Sequence, residues 1–538
     1  MKSPDLSRFG TILALSITFC AGHTCLVAQR TPLEGDWAGW AYFHGGGDIP
    51  LQFHGAEGGK GSGATLDSPA ESRFGIPVEE AYCTAPDSVV IRQSAGLVLR
   101  GRQEHDRIQG TLYAGSVTAY FDLVRSAVPL ILGDTATYSG FADLVGIYTN
   151  GDQGGVVIAQ QWWGEVLYTD LRTGRHGTLF PTERGDFVAG PGIYVPSPIE
   201  ATVRFDRDPD GVVTEAIWAA DGAEVHLPRM QVTQVDTLMD LGDRYLAATL
   251  LLPTGSEPSR ALVVMGGGSW YERADVLSDA YRLASSRTAV AIFDRRGYGH
   301  SSGEPLSTFA EIAEDAARCA DLLASRPEVD PERIGVFGKS RSGWIAPIAA
   351  NRSSAIRFVV LSVPATISPV KQETIRKLNA LRDDGADEEK LGLAEAYLDR
   401  LYTFAVHGQG WDVLERLKAR CDSAGIVDHL GGFKEQEGPD QQWWTMNGGY
   451  DPVPELQRIR KPVLALFGGS DRNVVPEVNG PIMEASLEGP GAGDRTVLVI
   501  PKADHFMWNT EDARARNHRR KGFVPQYWNS IFEWLGER

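Results

Sequence analysis

The chain has 538 residues, 42% of them hydrophobic and 23% charged, a globular mixture too long for one core, so two to four domains are expected. Its formal charge of -18, with no block of Lys and Arg, excludes a protein that holds nucleic acid by neutralising phosphates.

In chain order, Lys2 and Arg8 precede an apolar run over residues 11–22, and small residues follow as far as Ala28. That order predicts a signal peptide over residues 1–28, hence a secreted or periplasmic protein. The run is shorter than the ~20 residues that span a bilayer, so no stable membrane span is expected. Cleavage near Ala28 leaves Cys83, Cys319 and Cys421. These have no disulfide framework or metal-site spacing and read as small buried hydrophobes.

Residues 33–125 alternate β-prone runs, as at 36–43, 88–92, 97–101 and 108–113, with clusters of Gly, Asp and Ser. This spacing predicts a small antiparallel barrel or sandwich. Residues 134–228 repeat the texture at 144–148, 155–158, 165–170 and 201–205, giving a second small β domain with hairpin turns at 206–211 and 220–222. From 235 to 538 strands alternate with helices, which predicts a mostly parallel α/β sheet covered on both faces. Its strands read as 261–265, 289–293, 334–337, 358–362, 463–467 and 497–500, nearly all continuously apolar. Between them 308–325 predicts a helix, with Thr308 and Glu311 as a capping box and Phe309, Ile312, Ala316, Cys319 and Leu323 at helical spacing. The alternation stops between 363 and 454. Helical text at 371–382, 387–404 and 411–424, then a Gly-rich stretch with Trp443 and Trp444, predicts a cap inserted at about 366–450 over the carboxyl ends of the strands.

The chemistry concentrates in that third region. Strand 334–337 runs into Gly338-Lys339-Ser340-Arg341-Ser342-Gly343, with a helix after it. A serine on a sharp strand-to-helix turn needs small neighbours two before and two after; Gly338 and Ser342 hold those places. Gly338-Lys339-Ser340 also ends a phosphate-loop pattern, but Arg333 stands where its first glycine belongs, which argues against nucleotide binding. A serine nucleophile needs a base and the base an orienting acid, in the order Ser, acid, His. Asp471 follows strand 463–467 and His505 follows strand 497–500, so Ser340, Asp471 and His505 are the expected triad, with Asp504 as the alternative acid. Two backbone N–H groups must face the oxyanion. One is that of Arg341. The other comes from Met265-Gly266-Gly267-Gly268, where position favours Gly267 and leaves Gly266 and Gly268 as alternatives.

These features carry a family resemblance. Phe293-Asp294-Arg295-Arg296-Gly297-Tyr298-Gly299-His300-Ser301-Ser302-Gly303, the turn at Ser340, Tyr450-Asp451-Pro452, Asp471 and His505 together resemble α/β-hydrolases related to serine aminopeptidases, bacterial carboxylesterases and acyl-thioester hydrolases. The resemblance covers about residues 240–538 and implies the α/β-hydrolase fold and the triad. Met265 replaces part of a His-Gly pair found in many relatives, and Ser342 replaces the second glycine of the turn. The stretch from Trp37 through 49–51, 66–69 and 75–77 is similar to a small β domain often joined to secreted bacterial hydrolases, and implies no catalytic residue.

No cofactor or metal is expected. His44, His54 and His105 lack the spacing of zinc ligands, and no helix follows Gly297-Tyr298-Gly299 as a dinucleotide site requires. The pairs Trp443/Trp444 and Trp162/Trp163 read as packing anchors before ligand platforms. The expected activity is hydrolysis of carboxylic esters through an acyl-enzyme, the substrate being a small ester or a short peptide. Serine exopeptidase and acyl-thioester hydrolase are the alternatives within the enzyme class, and a secreted ligand-binding protein on a degenerate scaffold is the alternative outside it. Leu401, Tyr402, Phe404, Trp411, Trp443 and Trp444 are the expected apolar lining of the cap, and the acidic residues 387–389, Glu395, Glu435 and Glu437 read as a solvated helix face, with an amine anchor as the alternative.

Overall fold

The computed structural model describes residues 30–43, 49–55, 63–68, 73–84, 87–93, 96–114, 117–126, 139–151, 154–160, 166–182, 185–190, 199–268, 272–433, 438–489, 491, 493–510 and 522–538. The expected leader over 1–28, His44, Trp162, Trp163 and residues 435–437 lie outside these. Among the described residues no helix is long and apolar enough to cross a membrane.

The chain forms three sheets. In the first, eight strands from Asp36–Phe43 to Val117–Ser126 pair each with the next, and the last with the first, while Arg30–Pro32 covers Tyr82, Cys83 and Thr84, the end of Arg73–Thr84 that Thr65–Ser68 does not reach. Such closure leaves no free edge among the eight, and the alternating inward residues, among them Trp37, Phe53, Ile91, Ile108 and Phe121, fill the core. Asp36 and Asp67 hold His54 between them, at 3.0 Å from Nδ1 and 3.0 Å from Nε2. Burial alone pulls the pKa of this imidazole down, but the two carboxylates outweigh it and lift the value to about 9. Only the imidazolium has a proton for both partners. Because the folded value lies above the unfolded one, the stabilisation is complete below about pH 6.5 and is lost as the pH climbs through about 9. The unfolding transition of this sheet is expected to weaken by ~3 kcal/mol between pH 6 and 10. His54→Gln should flatten that dependence; equal pH slopes in the two proteins would refute the assignment.

The second sheet is an eight-stranded antiparallel meander from Gly146–Thr149 to Ala223–Pro228. Its last hairpin joins Val213–Ala220 to Ala223–Pro228 through Asp221 and Gly222, with φ of +53° and +76°, the two-residue turn that matches strand twist. Arg229 and Met230 then return to the first strand, where Met230 N donates to the Ile147 carbonyl at 2.7 Å. Ile147 and Val157 share a buried cluster with Leu251, Leu262, Ala280 and Tyr281 of the third unit, so this sheet leans on its outer face.

In the third sheet the strands are β1 (Val232–Asp240), β2 (Tyr245–Pro253), β3 (Ser259–Met265), β4 (Ala289–Phe293), β5 (Val329–Lys339), β6 (Phe358–Ser362), β7 (Val463–Gly468) and β8 (Arg495–Ile500). Their order is β1-β2-β4-β3-β5-β6-β7-β8, antiparallel at β1/β2 and β2/β4 and parallel thereafter. The helices are α1 (Arg273–Ala284), α2 (Phe309–Ala324), α3 (Ser342–Arg352), α4 (Pro369–Asp383), α5 (Glu388–His407), α6 (Trp411–Ser423), α7 (Val427–Leu430), α8 (Pro439–Asn447), α9 (Val453–Arg458), α10 (Pro476–Ser486) and α11 (Pro525–Gly536). Alternate strand residues serve opposite faces, as the period of two requires. Val263, Val336 and Ala465 pack with α2 and α3, whereas Leu262, Val290 and Leu464 pack with α1 and α11. Helix α2 begins with the expected capping box of Thr308 and Glu311.

Helices α4 to α8 form the insertion between β6 and β7 and bury their own core around Tyr397, Leu398, Leu401 and Phe404. Two of the expected lining residues belong to that core instead: Phe404 and Trp411 pack ring to ring at 4.8 Å. The aromatic body of each finds more apolar contact between α5 and α6 than at the cavity wall. Trp443 and Trp444 lie on α8, a helix hidden in the sequence by Gly438, Pro439, Gly448 and Gly449 at its ends.

Candidate active site

Ser340 occupies the turn between β5 and α3 with φ of +53°, a conformation that costs an L-residue energy and persists only where its surroundings enforce it. Those surroundings are specific. Ser340 N donates to the Ser362 carbonyl at 2.8 Å, and Gly343 N closes the turn on the Ser340 carbonyl at 2.8 Å. A Cβ on Gly338 would lie 2.5 Å from the Ser342 carbonyl oxygen and 2.9 Å from the Ala346 Cβ, so glycine is required there. The second place without room is Gly343, whose Cβ would lie 2.7 Å from Pro364 Cα. Ser342 is accommodated between them. It is buried, and its hydroxyl donates to the Gly266 carbonyl at 2.5 Å, tying the turn to the glycine loop after β3.

The loops after β7 and β8 carry Asp471 and His505 to the same place. His505 Nε2 is 3.0 Å from Ser340 Oγ, and His505 Nδ1 is 2.8 Å from Asp471 Oδ2. With the Asp471 carboxylate accepting the Nδ1 proton, Nε2 is left to accept from the serine hydroxyl. Asp471 is buried, and its other oxygen accepts from the backbone N–H groups of Asn473 at 2.7 Å and Val474 at 2.9 Å. That fixes the carboxylate in its orientation toward the ring. Asp504, the alternative acid, accepts instead from Phe506 N at 2.8 Å and Trp508 N at 3.0 Å within its own turn. Gly267 runs beside the serine: a Cβ on it would stand 2.9 Å from Ser340 Cβ. The backbone N–H groups of Gly267 and Arg341 flank Ser340, and neither has an acceptor among the described residues.

The motif loop after β4 is held by its own side chains. Asp294 accepts from Arg273 N at 2.8 Å and His300 N at 2.9 Å, and a Cβ on Gly299 would lie 2.5 Å from Asp294 Oδ2. Arg296 from this loop, with Arg244 from the β1–β2 turn, pairs with fully buried Asp315 of α2 at 2.7 and 2.8 Å.

A cavity of about 340 Å³ lies between the cap and this loop. Leu401, Tyr402, Trp443 and Trp444 line it as expected. Sequence reasoning did not find its charged lining, which is Arg295, Arg341 and Lys377, with Asp440 as the carboxylate. Nothing in the spacing of these residues marks them, because α4, α8 and two sheet loops meet only in the folded chain. Among the described residues no group of His, Cys, Asp and Glu is arranged to hold a metal ion.

Residues 261–517 match the family model described as "Alpha/beta hydrolase family". That part of the chain belongs to the α/β-hydrolase superfamily, in keeping with its strand order. Esterase EstD of Thermotoga maritima is 24% identical over 349 residues, which cover 63% of this chain and 76% of that protein. Thiohydrolase aneE of Aspergillus aculeatus is 27% identical over 157 residues, covering 29% of this chain and 47% of that one. Among solved structures, the alpha/beta hydrolase GrgF from Penicillium sp. sh18 is 16% identical with a TM-score of 0.38, over 57% of this chain and 98% of that chain. By its family match and its esterase and thiohydrolase relatives the chain is a hydrolase of the α/β family.

Proposed function

We propose that the protein is a serine hydrolase that cleaves carboxylic esters through an acyl-enzyme on Ser340. The observation that carries this reading is the continuous hydrogen-bonded chain from Ser340 Oγ through His505 to Asp471, at 3.0 and 2.8 Å, on a strained turn. In this mechanism Oγ attacks the ester carbonyl as His505 Nε2 takes its proton, and the Gly267 and Arg341 N–H groups receive the oxyanion. Collapse of the tetrahedral intermediate breaks the acyl–oxygen bond, and His505 gives the proton to the departing alkoxide. Water, deprotonated by His505, then attacks the acyl-enzyme and frees the acid. No step calls for a cofactor.

An ester is favoured over a peptide by the cavity wall. An exopeptidase must hold a substrate ammonium, and among the described lining residues three cations face one exposed carboxylate, Asp440. Thioesters react by the same steps, and aneE carries the name thiohydrolase. The test compares kcat/KM for alkyl esters, alkyl thioesters and unactivated aminoacyl peptides of matched acyl group. Alkyl esters are expected to be the best substrates, with peptides slowest; a preference for peptides would overturn the ester assignment.

A further inference from the structure

The proposed reaction uses the backbone N–H of Arg341 and leaves its side chain, on the cavity wall, without a task. Arg341 follows Ser340 directly, and its guanidinium lies over the Trp443 ring at 4.5 Å. The residue is partly exposed as a whole, but its Nη1 is shielded from solvent and has no hydrogen-bond partner. Among the described residues no carboxylate forms an ion pair with it. The carboxylate whose charge acts on it is that of Glu373, already held by Arg376 at 2.8 Å and approached by Lys377 at 3.9 Å. A shielded N–H on a charged group is costly to leave unmade, so the arrangement favours an incoming acceptor. Desolvation and the neighbouring Arg295 charge together push the Arg341 pKa down to about 10, still above the pH at which such an enzyme works. The guanidinium therefore stays charged and in need of an anion.

We propose that this cavity holds the free carboxylate of an ester substrate that carries a second acidic group, such as a half-ester of a dicarboxylic acid. Arg341 supplies the planar fork that fits a carboxylate, with Lys377 adding positive charge from α4. Tyr402, Trp443 and Trp444 bury the apolar stem between the carboxylate and the scissile carbonyl. A carboxylate is preferred to a phosphate because the described wall is aromatic and apolar around its cations. The inference rests on the serine-esterase reading for its chemistry, but its binding half can be tested without turnover.

Two measurements separate them. The first is the ratio of kcat/KM for ethyl half-esters of succinic, glutaric and adipic acid to that for neutral ethyl esters of matched chain length. At least one half-esters series member is expected to win by about ten-fold or more, the size of a gained charge-assisted hydrogen bond. In Arg341→Met the ratio should fall toward one, whatever happens to the absolute rate. The second is calorimetric titration of the whole protein with glutarate and adipate, against the corresponding diols. Binding of a diacid but not its diol, weakened in Arg341→Met, is expected. Hydrolysis of neutral esters with a ratio of one or less, and no diacid binding, overturns the anion pocket and leaves the esterase reading standing. Diacid binding by a protein that turns over no ester supports the pocket and overturns the reaction instead.

Discussion

Replacing Ser340 by alanine is expected to lower kcat on a simple alkyl ester by a factor on the order of 10⁴ to 10⁶ while leaving the fold intact. The size follows from the role proposed for Oγ. Without it there is no acyl-enzyme, and His505 can at best activate water against an ester held by the Gly267 and Arg341 N–H groups. The structural cost is small, since alanine keeps the Cβ and the backbone bonds from Ser340 N to the Ser362 carbonyl and from Gly343 N to the residue's own carbonyl. The lost side-chain bond is the one to His505 at 3.0 Å. Thermal unfolding should therefore shift little, and a variant that turns over ester at the parent rate would remove Ser340 from the mechanism.

The second large effect concerns stability. Asp315 is fully buried on α2 and receives Arg296 Nε at 2.7 Å and Arg244 Nη2 at 2.8 Å. One carboxylate thus joins the β1–β2 turn, the loop after β4 and the helix behind both. Asp315→Ala removes the buried partner shared by two largely buried guanidinium groups and leaves Arg244 its pair with exposed Asp243 and Arg296 its 3.5 Å contact with Glu311. Losing one partner of a buried pair costs up to ~3–5 kcal/mol, a large part of the ~5–15 kcal/mol that holds a domain together. Hydrogen exchange of the α2 amides is the measure, because it reports opening of this region apart from the two β sheets. The expected result is a loss of protection of that size in Asp315→Ala and a smaller one in Asp315→Asn, which keeps the shape and two acceptor lone pairs. A loss below about 1 kcal/mol in the alanine variant would mean that Asp243 and Glu311, which already touch these two arginines, suffice to hold the two charges.

The parts legible in the sequence were those whose physics is local. Six parallel strands announced themselves as apolar runs, the Thr308 capping box marked α2, and the turn at Ser340 showed through Gly338, where a Cβ has no room. The hairpin of β1 and β2 did not. In β1, Thr233, Gln234, Asp236 and Thr237 break the apolar pattern, and the run 246–252 in β2 reads as well as a helix as a strand. The bond that ties Ser342 into the turn is not legible in the sequence because its partner is distant: the Gly266 carbonyl it serves is 76 residues away. The cavity was half legible. Its aromatic side was visible as Tyr402, Trp443 and Trp444, whereas its cations come from three separate segments that only folding brings together.

If Ser340 is an activated nucleophile, a fluorophosphonate should label it covalently. At low probe concentration only a serine paired with a working base reacts quickly. Peptide mass mapping is expected to find one label per chain, on Ser340, with labelling greatly slowed in His505→Ala and in Asp471→Asn. A protein that takes up no label, or takes it up equally fast without His505, would show that Ser340 is not activated by this triad.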